Sequence, residues 1–168
     1  LYENSDFRML FGDRVYKHCF HDGVLTDAAS QSRWNILFNT VVAGGAEPVL
    51  PRPEFAFEGF RDIFITALRQ WNMPYPLYPE IDPPTVTPPG GRVSSQDKVN
   101  LASPYTIYYT MDGTDPRQAV TGNPAGIEYN EPITLDESIC LKARAFNGQW
   151  SALHQATFIV DPVAQNPN

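Results

Sequence analysis

The sequence predicts an α+β chain, a small N-terminal helical segment followed by an antiparallel β-sandwich of immunoglobulin type. Two observations carry that prediction. Apolar residues recur every three or four positions up to Trp71, and every second position from Thr106 onward. Between the two regimes lie Pro74, Pro76, Pro79, Pro83, Pro84, Pro88 and Pro89, which remove amide donors and fix the backbone angle. The expected organisation is a helical segment over residues 1–78, a sandwich over 79–160 and a polar tail over 161–168.

The first helix is expected from Asn4 to His21, with Phe7, Leu10, Phe11, Val15, His18 and Cys19 on its apolar face. Asn4 or Ser5 can cap its start, and Gly23 supplies a left-handed residue at its end. A second helix follows Thr26, with Asp27 at the positive end of its dipole and Trp34, Leu37, Phe38 and Val41 on a buried stripe; Gly44 and Gly45 stop it. A third runs from Glu54 to Trp71, with Phe57, Phe60, Phe64, Leu68 and Trp71 along one side. The proline run reads as an extended, semi-rigid connector. Beyond it, Thr106–Met111, Ser138–Phe146 and His154–Val160 alternate as half-buried strands. In the middle one Ile139, Leu141, Ala143 and Ala145 point inward, and Cys140, Lys142 and Arg144 outward.

Composition narrows the function. Hydrophobic residues make up 42% of the 168-residue chain and charged ones 18%, which argues against disorder. No apolar run approaches the roughly 20 residues of a membrane span. A net charge of -7 repels phosphate backbones and anionic membranes, so neither nucleic acid nor membrane insertion is expected. Leu1 in place of methionine, with no basic-then-apolar leader, predicts a processed product or a piece of a longer chain.

Three segments, Ile107-Tyr-Tyr-Thr-Met-Asp-Gly-Thr-Asp-Pro-Arg117, Tyr129-Asn-Glu-Pro-Ile133 and Leu141-Lys-Ala-Arg-Ala-Phe146 with Gly148 and Ser151 after it, closely resemble the C-terminal sandwich module of chitobiase and beta-hexosaminidase. The resemblance spans about Pro83 to Val160 and implies a non-catalytic module of bacterial secreted and surface proteins. Phe7-Arg-Met-Leu-Phe-Gly-Asp-Arg-Val-Tyr-Lys-His18, with Gly23-Val-Leu-Thr26 and Arg33-Trp34, is similar to the helical segment after the catalytic lobe of CotH-type spore-coat kinases. The kinase residues themselves, a glycine-rich loop, its lysine strand and a catalytic-loop Asp with its Asn, are missing, so that resemblance implies ancestry and a surface location only.

Asp112-Gly-Thr-Asp-Pro116 is the sharpest local motif. Asp112, Gly113, Asp115 and Pro116 explain themselves as turn chemistry, and two carboxylates with a hydroxyl fall short of the six to eight oxygens calcium takes. His18, Cys19, His21 and Asp22 cluster at a helix end, yet only His154 and Cys140 remain to complete a zinc tetrahedron; no metal or cofactor is expected. Cys19 and Cys140 either form one bridge between the two regions, worth about 4 to 5 kcal/mol in the loop-entropy model, or are unrelated thiols. Tyr105, Tyr108, Tyr109, Tyr129 and Trp150 could stack on sugars, although half of any alternating strand faces the core. No Asn-X-Ser/Thr sequon occurs, which leaves Thr85, Thr87, Ser94 and Ser95 as O-glycosylation candidates.

No catalytic set stands out, so the expected role is structural: an extracellular or cell-surface module that forms a homo-oligomer or filament. Self-association is expected through Phe57, Phe60, Phe64 and Trp71, and through Phe158 and Val160 of a C-terminal segment free to add to a neighbour's sheet edge. The alternative is a carbohydrate-binding accessory module with a glycan partner.

Overall fold

A computed structural model of the chain describes residues 3–45, 59–70 and 75–161. Helix α1, Ser5–Cys19, starts where the Asn4 side chain accepts from the amides of Asp6 and Phe7, satisfying donors that a helix start leaves free. Past its end the left-handed residue is His21, at φ 55°, and not Gly23 as expected. Gly23 is needed for close approach instead: a Cβ there would lie 2.7 Å from the Lys17 carbonyl oxygen and closer still to that of His18. The face that α1 buries carries Gly12, Val15, Tyr16 and Cys19, about a quarter turn from the predicted one. Gly12 explains the rotation, because a Cβ at that position would meet Pro79 at 2.9 Å. Leu10, expected on the buried face, is 57% exposed.

Helix α2, Asp27–Ala43, is capped by Thr26, whose hydroxyl accepts from the Ala29 amide. None of its residues is buried. Leu37 and Val41, expected inside, are exposed, which corrects the predicted buried stripe. Helix α3, Phe60–Gln70, follows Gly59 at φ 73° and buries Ile65 and Leu68. The expected contacts Phe57 and Trp71 lie outside the described residues.

Among the described residues eight strands form two sheets. One orders β1 (Thr85–Thr87), β3 (Lys98–Ala102) and β6 (Ile133–Thr134) as β1-β3-β6. The other orders β2 (Gly91–Ser94), β8 (His154–Asp161), β7 (Ile139–Phe146), β4 (Thr106–Thr110) and β5 (Ile127–Glu128) as β2-β8-β7-β4-β5. Every pairing is antiparallel except β2 with β8. The core is built from alternate residues of both sheets, among them Val99, Leu101, Ile107, Leu141, Ala143 and Phe158.

Two expectations are corrected here. The proline run contributes β1 to the sandwich and leads directly into β2, so part of it is sheet and not connector. Strand β8 pairs with β7 on one side and β2 on the other, and Phe158 is buried while Val160 packs against the core. Those two side chains hold the sandwich together and are not available to a neighbour.

A second apolar cluster joins Val15, Tyr16 and Cys19 of α1, Ile65 and Leu68 of α3, Tyr78, and Ala152 of the sandwich. Burial raises the pKa of the Cys19 thiol and of the Tyr78 phenol.

Candidate functional site

Along α1, Asp6 and Asp13 are two turns apart and Tyr16 one turn further, so all three project toward the sandwich. Each meets a partner there. Arg117 donates to Asp6 at 2.7 Å, and the Val120 amide donates to the same carboxylate at 2.9 Å; the Arg117 bond, with the Val120 amide behind it, lowers the Asp6 pKa.

Asp13 meets Arg144 of β7. That guanidinium is fully buried, and each of its N–H donors is used. Nε and one Nη donate to Asp115 at 2.8 and 2.7 Å, both Nη donate to Asp13 at 2.8 and 2.7 Å, and Nη1 also donates to the Ser151 carbonyl at 2.8 Å. Asp13 accepts from the Leu153 amide at 2.8 Å as well. Burial opposes the Arg144 charge, but the hydrogen bonds it donates to Asp115 and Asp13 outweigh that and raise its pKa. Burial likewise works against the Asp115 carboxylate, and Arg144 holds its pKa below the usual value.

Tyr16 completes the seam. His154 Nδ1 lies 2.9 Å from the Pro84 carbonyl and 3.1 Å from the Tyr16 hydroxyl, which lies 2.8 Å from His21 Nε2. A carbonyl only accepts, so Nδ1 carries the proton, and Tyr16 turns its own proton toward His21. Burial first, then the neighbouring His21, pushes the His154 pKa down to about 4. Burial, with Asp82 adding to it, raises Tyr16 to about 12. The imidazole and the phenol are therefore both neutral near pH 7, and they act as a polar joint. Beside this seam, between α1 and the outer face of β7 and β8, runs a groove of about 640 Å³.

The predicted turn motif folds as a turn. Asp112 accepts from the Thr114 amide at 2.9 Å and its hydroxyl at 2.6 Å, and Asp115 accepts from the Arg117 amide at 2.9 Å. The pairing of Asp115 with Arg144 was not anticipated. Arg144 does lie on the outward face of β7, but α1 covers it.

Cys19 and Cys140 are both free thiols, the second of the two alternatives the sequence left open. Cys19 sits in the cluster with Ile65, Leu68 and Tyr78, whereas Cys140 sits against Gly113 in the turn motif. Among the described residues no group of His, Cys, Asp and Glu could hold a metal ion.

The strand aromatics pack on one another. Trp150 is buried between Tyr108 and Phe146 and donates to the Gly122 carbonyl at 2.7 Å, and Tyr109 meets Tyr129 edge-on. Of the rings proposed for sugar stacking only Tyr105 is exposed. Thr85, Thr87, Ser94 and Ser95 belong to β1, β2 and the turn after β2, with all but the half-buried Ser95 exposed. Phe60 is exposed and Phe64 half-buried.

Residues 88–155 match the family model of the chitobiase/beta-hexosaminidase C-terminal domain. This stretch runs from just before β2 into the start of β8, and it contains Asp115, Arg117, Arg144 and His154, the sandwich side of the seam, but not α1. The domain is a non-catalytic β-sandwich module. No curated protein matches the chain. Among the described residues no helix is long and apolar enough to cross a membrane.

Proposed function

We propose that the chain is a non-catalytic structural module of an extracellular or cell-surface protein and that it associates with further copies of itself through its helical segment. The observation that carries this reading is α2. Trp34, Leu37, Phe38, Val41 and Val42 fall on one arc of about 140°, with Ile36 on the opposite face, and Ile36 is 63% and Leu37 62% exposed, with Val41 and Val42 exposed too. Helix α3 adds Phe60 and Ile63, the latter 71% exposed. Solvating so much aliphatic surface is unfavourable by roughly 25 cal/mol per Å², which favours a form in which it is covered.

In this reading the helical segment descends from a larger CotH-like surface protein, a descent supported by the sequence resemblance of residues 7–34 alone. The accessory-module reading draws on the family of residues 88–155 and on the groove beside α1.

Size in solution tests the proposal. By sedimentation, the full chain is expected to run as a concentration-dependent oligomer, and Leu37→Ser with Val41→Ser is expected to shift it to monomer. Both side chains are exposed, so the helical circular dichroism should be retained. A parent chain that stays monomeric at high micromolar concentration refutes it.

A further inference from the structure

The groove beside the α1 seam contains an uneven set of polar groups. Among the described lysines and arginines, Arg14, Lys17, Lys98 and Lys142 make no ion pair, hydrogen bond or ring contact. Three of the four, all but Lys98, line this one groove. Arg14 and Lys17 are neighbours on the α1 wall, and Lys142 stands on the opposite wall formed by β7.

The acidic groups around it are largely committed. Asp13 and Asp115 spend their oxygens on Arg144 and on backbone amides. Asp112 accepts from Thr114 and feels the Lys142 charge without contacting it, and Asp22 is exposed on the turn after α1. In a chain of net charge -7, the groove thus sets three uncommitted cations, Arg14, Lys17 and Lys142, against one uncommitted carboxylate, Asp22.

The rest of the lining fixes the kind of anion. Gln155 and Thr157 point outward from β8 and can hydrogen-bond hydroxyl groups, and the exposed Leu10 with the half-buried Leu153 offers an aliphatic wall. Cations on both walls suit charges spaced along a ligand better than one compact ion, and about 640 Å³ is within the range of small-molecule sites. We infer that this groove binds an acidic oligosaccharide, with Arg14, Lys17 and Lys142 on its carboxylates, Gln155 and Thr157 on its hydroxyls, and Leu10 against a sugar C–H face. The site is separate from the α2 face and does not depend on self-association.

The test is titration of the full chain with trigalacturonate, N-acetylchitotriose and inorganic sulfate, by calorimetry and by amide shifts in the NMR spectrum. Trigalacturonate is expected to bind saturably, more weakly as salt rises, and to move the amides of Gln155 and Thr157. Lys17→Ala with Lys142→Ala is expected to weaken it about tenfold or more, the effect of losing two charge-assisted contacts. Lys98→Ala removes an equally unpaired cation outside the groove and should change affinity by less than about twofold. Absence of saturable trigalacturonate binding overturns the assignment, as does equal weakening by Lys98→Ala. Equal affinity for N-acetylchitotriose refutes the requirement for charge, and equal affinity for sulfate refutes the saccharide. Sedimentation reads self-association separately, so the two proposals fail independently.

Discussion

Replacing Arg144 by methionine keeps most of the side-chain volume and removes the charge. In the native chain the guanidinium satisfies Asp13, Asp115 and the Ser151 carbonyl together. Truncating one partner of a buried ion pair costs about 3–5 kcal/mol, chiefly because the remaining charge is left uncompensated. Here the stranded carboxylates keep some access to water, Asp13 at 17% and Asp115 at 37% side-chain exposure, so the lower end applies and the expected loss is about 3 kcal/mol. Asp13→Asn leaves the Asp115 pair intact and still accepts from the Leu153 amide, so about 1–2 kcal/mol is expected, the worth of one charged hydrogen-bonding partner. The double variant should lose less than the sum, by about 1 kcal/mol or more. Urea unfolding by circular dichroism measures the totals. Hydrogen exchange shows where the loss falls, with α1 amides losing protection while β7 amides keep theirs. An Arg144→Met chain within about 0.5 kcal/mol of the parent, or with α1 protected as before, would refute the view that this ion trio docks the helix.

Three more predictions follow from the same seam and its neighbours. The His154 pKa is depressed from the ordinary 6.5 to about 4 in the folded chain, so the unfolded chain binds the extra proton first: the stability due to neutral His154 is complete above about pH 6.5 and is lost as pH falls through 4, by up to about 3 kcal/mol. Urea midpoints across that range should show the loss, and His154→Gln should flatten it. Gly23→Ala drives a Cβ into the Lys17 and His18 carbonyls at the end of α1 and should destabilise by about 1–3 kcal/mol in thermal unfolding; an unchanged melting temperature would contradict the packing of that turn. With a thiol reagent, half-buried Cys140 should react in the native chain and Cys19, buried and raised in pKa, only on unfolding.

Much of this fold was legible because its long elements announce their periods. Strands β4, β7 and β8 and helix α1 fall within a residue or two of where alternation and capping put them. Strands β1 and β2, of three and four residues, are too short to show a period, and flanking prolines disguise them even though sheet ends tolerate proline. The face that α1 buries was misjudged because Gly12 contributes nothing to an apolar stripe, yet it is the residue that admits Pro79. Periodicity also placed Arg144 correctly on the outer face of β7. It could not say that a helix 131 positions earlier in the chain supplies the cover, since no local pattern links Asp13 to Arg144. A weak signal existed in the two-turn spacing of Asp6 and Asp13, set against two arginines, Arg117 and Arg144, in a sandwich with few cations.

The chemistry of that cover bears on how the chain is divided. Helix α1 meets the sandwich through Asp6–Arg117, Asp13–Arg144–Asp115 and Tyr16–His154, while its apolar side faces α3 and Tyr78. An apolar face accepts any greasy partner of roughly the right shape, whereas a buried guanidinium with every donor assigned accepts one arrangement, because a shifted helix would leave that charge buried without its partners. The sandwich therefore fixes the position of α1 and, through the Val15–Cys19–Ile65–Leu68 cluster, that of α3. Among the described residues helix α2 makes no ion pair with the sandwich, and it exposes Ile36, Leu37, Val41 and Val42. If the proposed self-association holds, variants at Leu37 and Val41 should alter assembly without disturbing the groove, and variants at Arg144 should do the reverse.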